Sequence, residues 1–525
     1  MALIRSVAPA ITLALMLSAG GAARAGTDWS TYGFDSVRTS NNPDETILGP
    51  STVSGLQQIW SFNTGKFDVA LSANNKSANS YMRDQAMVAS GVSINGTVTD
   101  VMYLGDNNGT FFAFDLDSPG PTGNVLWYAS LPVVTFPPPF NTVAGVFGSA
   151  AVDRTAQGGT GAVYVGVNGA VHALNMTTGA EFPGWPVAVV SDPGSQTDGR
   201  IHSGINLLNG QLYTTTSANG ADTRPFWGRV VSVNTATATV TNTWYTLSGN
   251  ATQPPATYGG GIWGWGGVAI DPAAKVGGLY FATGNSFTGT GQTPLYAEEV
   301  VSITPDLTKV LGYASPKVGS GDYDYGASPT VFQGSACKNK FLAVKNKTGI
   351  LVLEGIAPNG ALEVLQSIQA GAPESAAVGA DTYRGTVAWD PVNQQILVTN
   401  IGDGPAPYTH GLTAFKFSPT CTSPFLTFAW NMTTQMNGQP ITANGTEMSS
   451  PVLANGVAYF GAGQQGSYIY AVALAGGSGV TAGQLLWQSP LLASCTANTT
   501  PTVVNGKLIV PCAGSSPTVH VYGLP

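Results

Sequence analysis

Charge is what this sequence has least of. Of 525 residues only 20 are Lys or Arg and 28 are Asp or Glu, 9% together where soluble domains carry about 25%. There is no basic run, which argues against nucleic acid and against an anionic membrane surface as partner. Histidine is down to four, too few for a multi-histidine metal site. The four cysteines, Cys337, Cys421, Cys495 and Cys512, form no C-x-x-C and no C-x-x-C-H, so zinc-ribbon, thioredoxin-like and c-type haem readings fail. The G-x-x-x-x-G-K-[ST] phosphate loop is missing. HSGIN at 202–206 lacks the full nucleophile-elbow phrase, which leaves His202 as a loop or core histidine.

Glycine, at 67 residues, is abundant, as are Ser, Thr, Asn and aromatics. Lys/Glu-rich stretches that would build amphipathic surface helices are scarce. Many turns, many β-branched residues and few charges read as an all-β chain. Its 43% apolar content is enough to bury a large core. Residues 1–25 read as a signal peptide: Arg5 in the n-region, an apolar stretch from Ala8 to Leu17, and Ala23-Arg24-Ala25 as an A-x-A cleavage site. Beyond it no apolar run approaches the ~18 residues of a membrane span. Four cysteines fit the oxidising compartment that export implies. Cys495 and Cys512 flank one strand–turn–strand unit and are paired on that ground, which leaves Cys337 with Cys421.

One pattern recurs along the chain: a β-branched or aromatic strand, a Gly turn, then a second alternating strand. VMYLGDNNGTFFAFDLD (101–117), AVYVGVNGAVHALNMTTG (162–179) and VAYFGAGQQGSYIYAVAL (457–474) are its clearest copies. Weaker ones begin near 211, 278, 341, 395 and 507, which makes about eight at spacings of roughly 50–67 residues. A Trp often follows downstream, as at Trp127, Trp185, Trp244, Trp430 and Trp487. One hairpin of this kind cannot bury both faces; stacked around an axis, such units can. The last copy lacks its later strands, and LQQIWSFNTG (56–65), with Trp60 in the usual Trp place, looks like the missing ending. The expectation is an all-β, eight-bladed β-propeller, one domain over 26–525, closed by joining its two termini in one blade.

Four phrases carry a resemblance. The segment 28–65, opening DWSTYG and reaching WSFNTG, is similar to the mature start of pyrroloquinoline quinone (PQQ)-dependent alcohol and polyvinyl alcohol dehydrogenases. GGGIWGWGGVAIDPAAKVGGLYFATGN (259–285) resembles the W-G-W, D-P, G-x-G-N run of quinoprotein dehydrogenases, and GSGDYDYGASP (319–329) their D-x-W-D-like phrase. The resemblance implies that PQQ stacks on Trp263, that Asn285 binds the Ca²⁺ holding the quinone, and that Asp322 is the general base, with Asp324 its companion. In FLAVKNKTGILVLEG (341–355) it implies Lys347 as the cation on the quinone oxygens, with Lys345 as competitor. The chemistry suits these residue types: a flat quinone needs an aromatic face, a hard ion needs oxygen ligands, and a cation stabilises charge on the reduced ring. The implied substrate is an alcohol or polyol, and electrons leave to a separate acceptor, a cytochrome or quinone.

The chain also departs from that pattern. It has no vicinal Cys pair. ANGADTRPFWGR (218–229) holds no Glu for the ion, only Asp222, and FGSAAVD (147–153) has no Arg for the quinone carboxylates. These gaps keep a second expectation open, a non-catalytic propeller acting as a protein-interaction scaffold.

Overall fold

The structure is a computed structural model. It describes residues 26–525 apart from 71–81, 119, 121–123, 136–142, 194–197, 219–224, 255–256, 288–294, 317–322, 373–384, 442–447, 464–465, 478, 497–498 and 515–516. The expected signal peptide, Asp222 and Asp322 lie outside the described residues.

Eight antiparallel sheets follow one another along the chain, each with a core of four strands. In order they span 87–130, 151–188, 200–245, 269–314, 330–369, 388–432, 452–488, and 502–523 with 57–63; they are called blades 1 to 8 below. Blade 8 is completed by Gln57–Asn63, which pairs antiparallel with Thr518–Gly523. The first and last parts of the chain thereby share one sheet, and the ring has no open blade edge at that joint. Between the third and fourth strands, seven blades carry a register shift, and a bulge there adds the twist a propeller blade needs.

The core lies in the seams between blades. Separate apolar clusters fill the seams 2–3, 3–4, 4–5, 5–6 and 6–7, and one larger cluster fills those around blades 7, 8, 1 and 2. The recurrent tryptophans explain part of this packing. Trp127, in the outer strand of blade 1, donates Nε1–H to Met176 O of blade 2 at 3.2 Å. Gly179, at φ 72° in the NMTTG turn of blade 2, lies so close that a Cβ there would come within 2.5 Å of the Trp127 ring. That turn therefore needs glycine twice, for its left-handed backbone and for the indole against it. Two disulfides, Cys337–Cys421 and Cys495–Cys512, are formed; the first ties blade 5 to blade 6. Among the described residues no helix is long and apolar enough to cross a membrane.

The segment 29–42 is a belt inside the ring. Trp29 exchanges backbone hydrogen bonds with Val88 of blade 1 at 2.8 and 2.9 Å, and Ser30 O accepts from Val152 N of blade 2 at 2.8 Å. Thr31 Oγ1 donates to Ile205 O beside blade 3 at 3.0 Å. Ser36 O, Val37 O, Thr39 O and Ser40 O then accept from Ile270, Val331, Trp389 and Leu453 of blades 4 to 7 at 2.6–2.9 Å. Asn42 Nδ2 closes the circuit on Val503 O of blade 8 at 2.8 Å. Arg38, wholly buried, clips the belt to itself through Thr31 Oγ1 at 2.6 Å and Tyr32 O at 2.7 Å. Burial pushes its guanidinium down to about 10. These bonds fall on the innermost strand of each blade, so the belt spans one end of the axial channel.

Candidate active site at the open mouth of the channel

The other end of the same inner strands carries the unusual side chains. Trp263 stands before the inner strand of blade 4 (Ala269–Ile270), and Asp324 before that of blade 5 (Thr330–Phe332). Asn285 follows the second strand of blade 4 (Leu279–Ala282), and Lys347 sits in the turn after Lys340–Lys345 of blade 5. The structure brings these four together. Lys347 Nζ donates to Asp324 Oδ2 at 2.9 Å and lies 5.3 Å from the centroid of the Trp263 ring. Asp324 Oδ1 accepts the backbone N–H of Asn285, and the main chains lock the same contact through Lys347 N–H to Asp324 O at 2.9 Å. Gly284 permits the approach: a Cβ there would stand 2.6 Å from Asp324 Oδ1 and 3.1 Å from Trp263 Nε1.

The Lys347–Asp324 pair is largely shielded, its side chains 12% and 8% exposed. Shielding strengthens the pairing and makes the loss of either partner costly. Lys345 has a different place. It is buried in the seam of blades 5 and 6, where its Nζ donates to Thr399 O; burial pushes its ammonium down to about 7. Trp265, buried, accepts the Gly204 N–H on its backbone oxygen at 2.7 Å and belongs to the packing beneath the mouth.

Sequence reasoning missed an arc on the neighbouring blades. Phe147 of blade 2 carries the Arg200 guanidinium of blade 3 at 3.9 Å and that of Arg83, before blade 1, at 5.5 Å from its centroid. His202 meets the Phe147 ring edge-on, with 5.6 Å between centroids, and its Nε2 accepts from Arg200 Nε at 3.0 Å. The arc is continuous with the Trp263 loop, because Ser203 Oγ donates to Ile262 O at 3.1 Å. The FGSAAVD phrase thus supplies no arginine itself, but its Phe147 is the platform on which two arginines from flanking blades lie. One signal was available: aligning DQAMVA, GSAAVD, SGINLL and GGVAID, which lead into or form four inner strands, puts Arg83, Phe147, His202 and Trp265 in one column.

Among the described residues no three of His, Cys, Asp and Glu gather in a way that would hold a metal. Of the metal ligands expected from the sequence, Asn285 is at the mouth and Asp222 is outside the described residues.

The fold is an eight-bladed β-propeller. Over 95% of its length the chain is similar to the quinohemoprotein alcohol dehydrogenase of Comamonas testosteroni, at 14% identity and TM-score 0.61, covering 80% of that chain. It is similar to the quinohemoprotein alcohol dehydrogenase ADHIIG of Pseudomonas putida HK5 at 15% identity and TM-score 0.62, again over 95% of this chain and 80% of that one. A europium-containing methanol dehydrogenase matches at 14% identity and TM-score 0.57, over 95% of this chain and 98% of that one. No family model and no curated sequence matches the chain.

Proposed function

We propose that the chain is an exported quinoprotein-type dehydrogenase that oxidises an alcohol or polyol with PQQ and a hard cation, Ca²⁺ by the sequence resemblance. The observation that carries this reading is the convergence of Trp263, Asp324 and Lys347 at one channel mouth, beside a second pair of cations on Phe147. The donor set suits the group. A flat, acidic tricycle needs an aromatic face, which Trp263 offers, and cations for its acid groups, which Arg83 and Arg200 offer. A hard ion takes carboxylate and amide oxygens, and Asp324 and Asn285 are the described candidates.

When bound, the quinone accepts the two electrons removed from the alcohol. The protein's part is local. Lys347, held by Asp324, keeps its positive end over the Trp263 ring, where it would stabilise negative charge on a bound quinone. Asp324, which accepts from Lys347 Nζ and from the Asn285 N–H, fixes that lysine. By the sequence resemblance, Asp322 takes the hydroxyl proton as general base. The alternative, a scaffold propeller, draws on the lack of Glu in 218–229.

Reconstitution decides between them. The purified chain is incubated with PQQ and either Ca²⁺ or a trivalent lanthanide, the latter because one protein of this fold contains europium. Quinone uptake and dye reduction with a panel of alcohols are then measured. Uptake with substrate-dependent reduction is the expected result; no uptake with either ion removes the dehydrogenase reading.

A further inference from the structure

We propose that Tyr32, in the belt 29–42, is a positioning residue for the aromatic face of Trp263. The functional part of this inference rests on the dehydrogenase reading; the structural part does not. Tyr32 is 1% exposed and reaches across the channel. Its hydroxyl bonds Ser450 Oγ of the blade 7 approach at 2.8 Å and Thr500 Oγ1 of the blade 8 approach at 3.0 Å. Its other side meets blades 3 and 4: a Cβ on Gly204 would lie 3.1 Å from Tyr32 Cβ, and one on Gly266 would lie 3.2 Å from Tyr32 Cδ1. The ring therefore fills the space between opposite walls.

Gly266 belongs to the W-G-W-G-G turn at 263–267, and that turn has no slack. Gly267 N–H donates to Gly264 O at 2.9 Å. A Cβ on Gly264 would come within 2.6 Å of the Ala327 backbone, one on Gly266 within 2.9 Å of Ser328 Cβ, and one on Gly267 within 2.5 Å of Gly204 O. The turn is thus clamped by blade 3 on one side, blade 5 on the other and Tyr32 below. Interiors packed at this density transmit a displacement instead of absorbing it. Removing the Tyr32 ring frees the underside of the turn and lets the Trp263 indole, at its first position, settle away from the mouth.

The experiment uses the full chain with Tyr32→Ala and Tyr32→Phe, each also combined with Trp263→Phe. Acrylamide quenching of each variant, minus that of its Trp263→Phe partner, isolates Trp263 from the other ten of the 11 tryptophans; it needs no ligand. Circular dichroism and cooperative unfolding report the fold. The expected result is a folded Tyr32→Ala whose Trp263 quenching rises by about twofold or more, with quinone affinity down about tenfold, as small misplacements of site groups cost. Tyr32→Phe, which keeps the ring, restores both. A folded Tyr32→Ala with unchanged Trp263 quenching overturns the proposal. If that variant does not fold, Tyr32→Leu is read in the same way. If the wild-type chain takes up no quinone, the dehydrogenase reading falls while the quenching result still decides the role of Tyr32.

Discussion

The two ends of the axial channel are built on opposite principles. At the floor, the belt makes nearly the same contact eight times, most often a backbone N–H from an inner strand to a backbone carbonyl of 29–42. Each such bond contributes about 1 kcal/mol net, and none of the backbone bonds depends on which side chain stands there. At the mouth, blades 1 to 5 present Arg83, Phe147, Arg200, Trp263 and Asp324, no two neighbours among these five alike in chemistry. A propeller repeats its geometry at both ends. Where the chemistry repeats too, the end is architecture; where each blade departs from the repeat, the end is a site.

That contrast can be broken by changing the mouth alone. The largest effect is expected from Asp322→Asn. Loss of a general base costs about 10²–10⁴-fold in turnover, while quinone uptake is retained, because the face and the cations are untouched. Steady-state dye reduction beside a quinone-binding titration tests this; equal loss of both would move Asp322 from proton transfer to cofactor binding. Lys347→Met comes next. It leaves Asp324 charged and shielded without its cation, and breaking such a pair costs roughly 3 kcal/mol, read as a lower midpoint in urea unfolding. A negligible change would mean that solvent reaches the pair freely. Trp263→Ala removes only a stacking face, worth about 1–3 kcal/mol. Quinone affinity is expected to fall about ten- to a hundredfold with unfolding little altered, and unchanged affinity would place the ring elsewhere in the channel.

The uneven legibility of the sequence follows the same division. The blades were readable because their signal is local: period-2 alternation, a Gly turn and a trailing Trp repeat within one segment. Trp60 gave away the outer strand of blade 8 for that reason, although its partner Thr518–Gly523 lies at the far end of the chain. At the mouth, Trp263, Asn285, Asp324 and Lys347 were found through phrases in which the informative residues are close in sequence. Arg83 and Arg200 were not, because each stands alone beside a strand and gains meaning only when the ring sets both on Phe147. The belt was invisible for the opposite reason. DWSTYGFDSVRTSNN has no periodicity of its own, since most of its contacts are made by backbone atoms, to six of the eight sheets, and those to the other two by side chains. Reading it as the start of a family pattern said nothing of its path.

The smallest effect concerns a charge that belongs to neither end. Glu354, in the third strand of blade 5, is fully buried, and neither carboxyl oxygen has a hydrogen-bond partner among the described residues. Burial, and then the charge of Glu299, hold its carboxyl well above the usual range. The folded chain therefore keeps this proton to a higher pH than the unfolded chain does. Between the ordinary glutamate value and the raised one the native state binds more protons, so stability falls as pH rises through that window. Below it the carboxyl is neutral in both states and the loss vanishes. Glu354→Gln keeps the shape and removes the titration. The variant is expected to be more stable than wild type at pH 8, by about 1.4 kcal/mol for each pH unit of that window, and to match it near pH 4. Urea unfolding at the two pH values measures the difference. A gap of the same size at both would show that the wild-type carboxyl has found a partner in solution, and that the seam of blades 4 and 5, like the mouth above it, holds charge by pairing it.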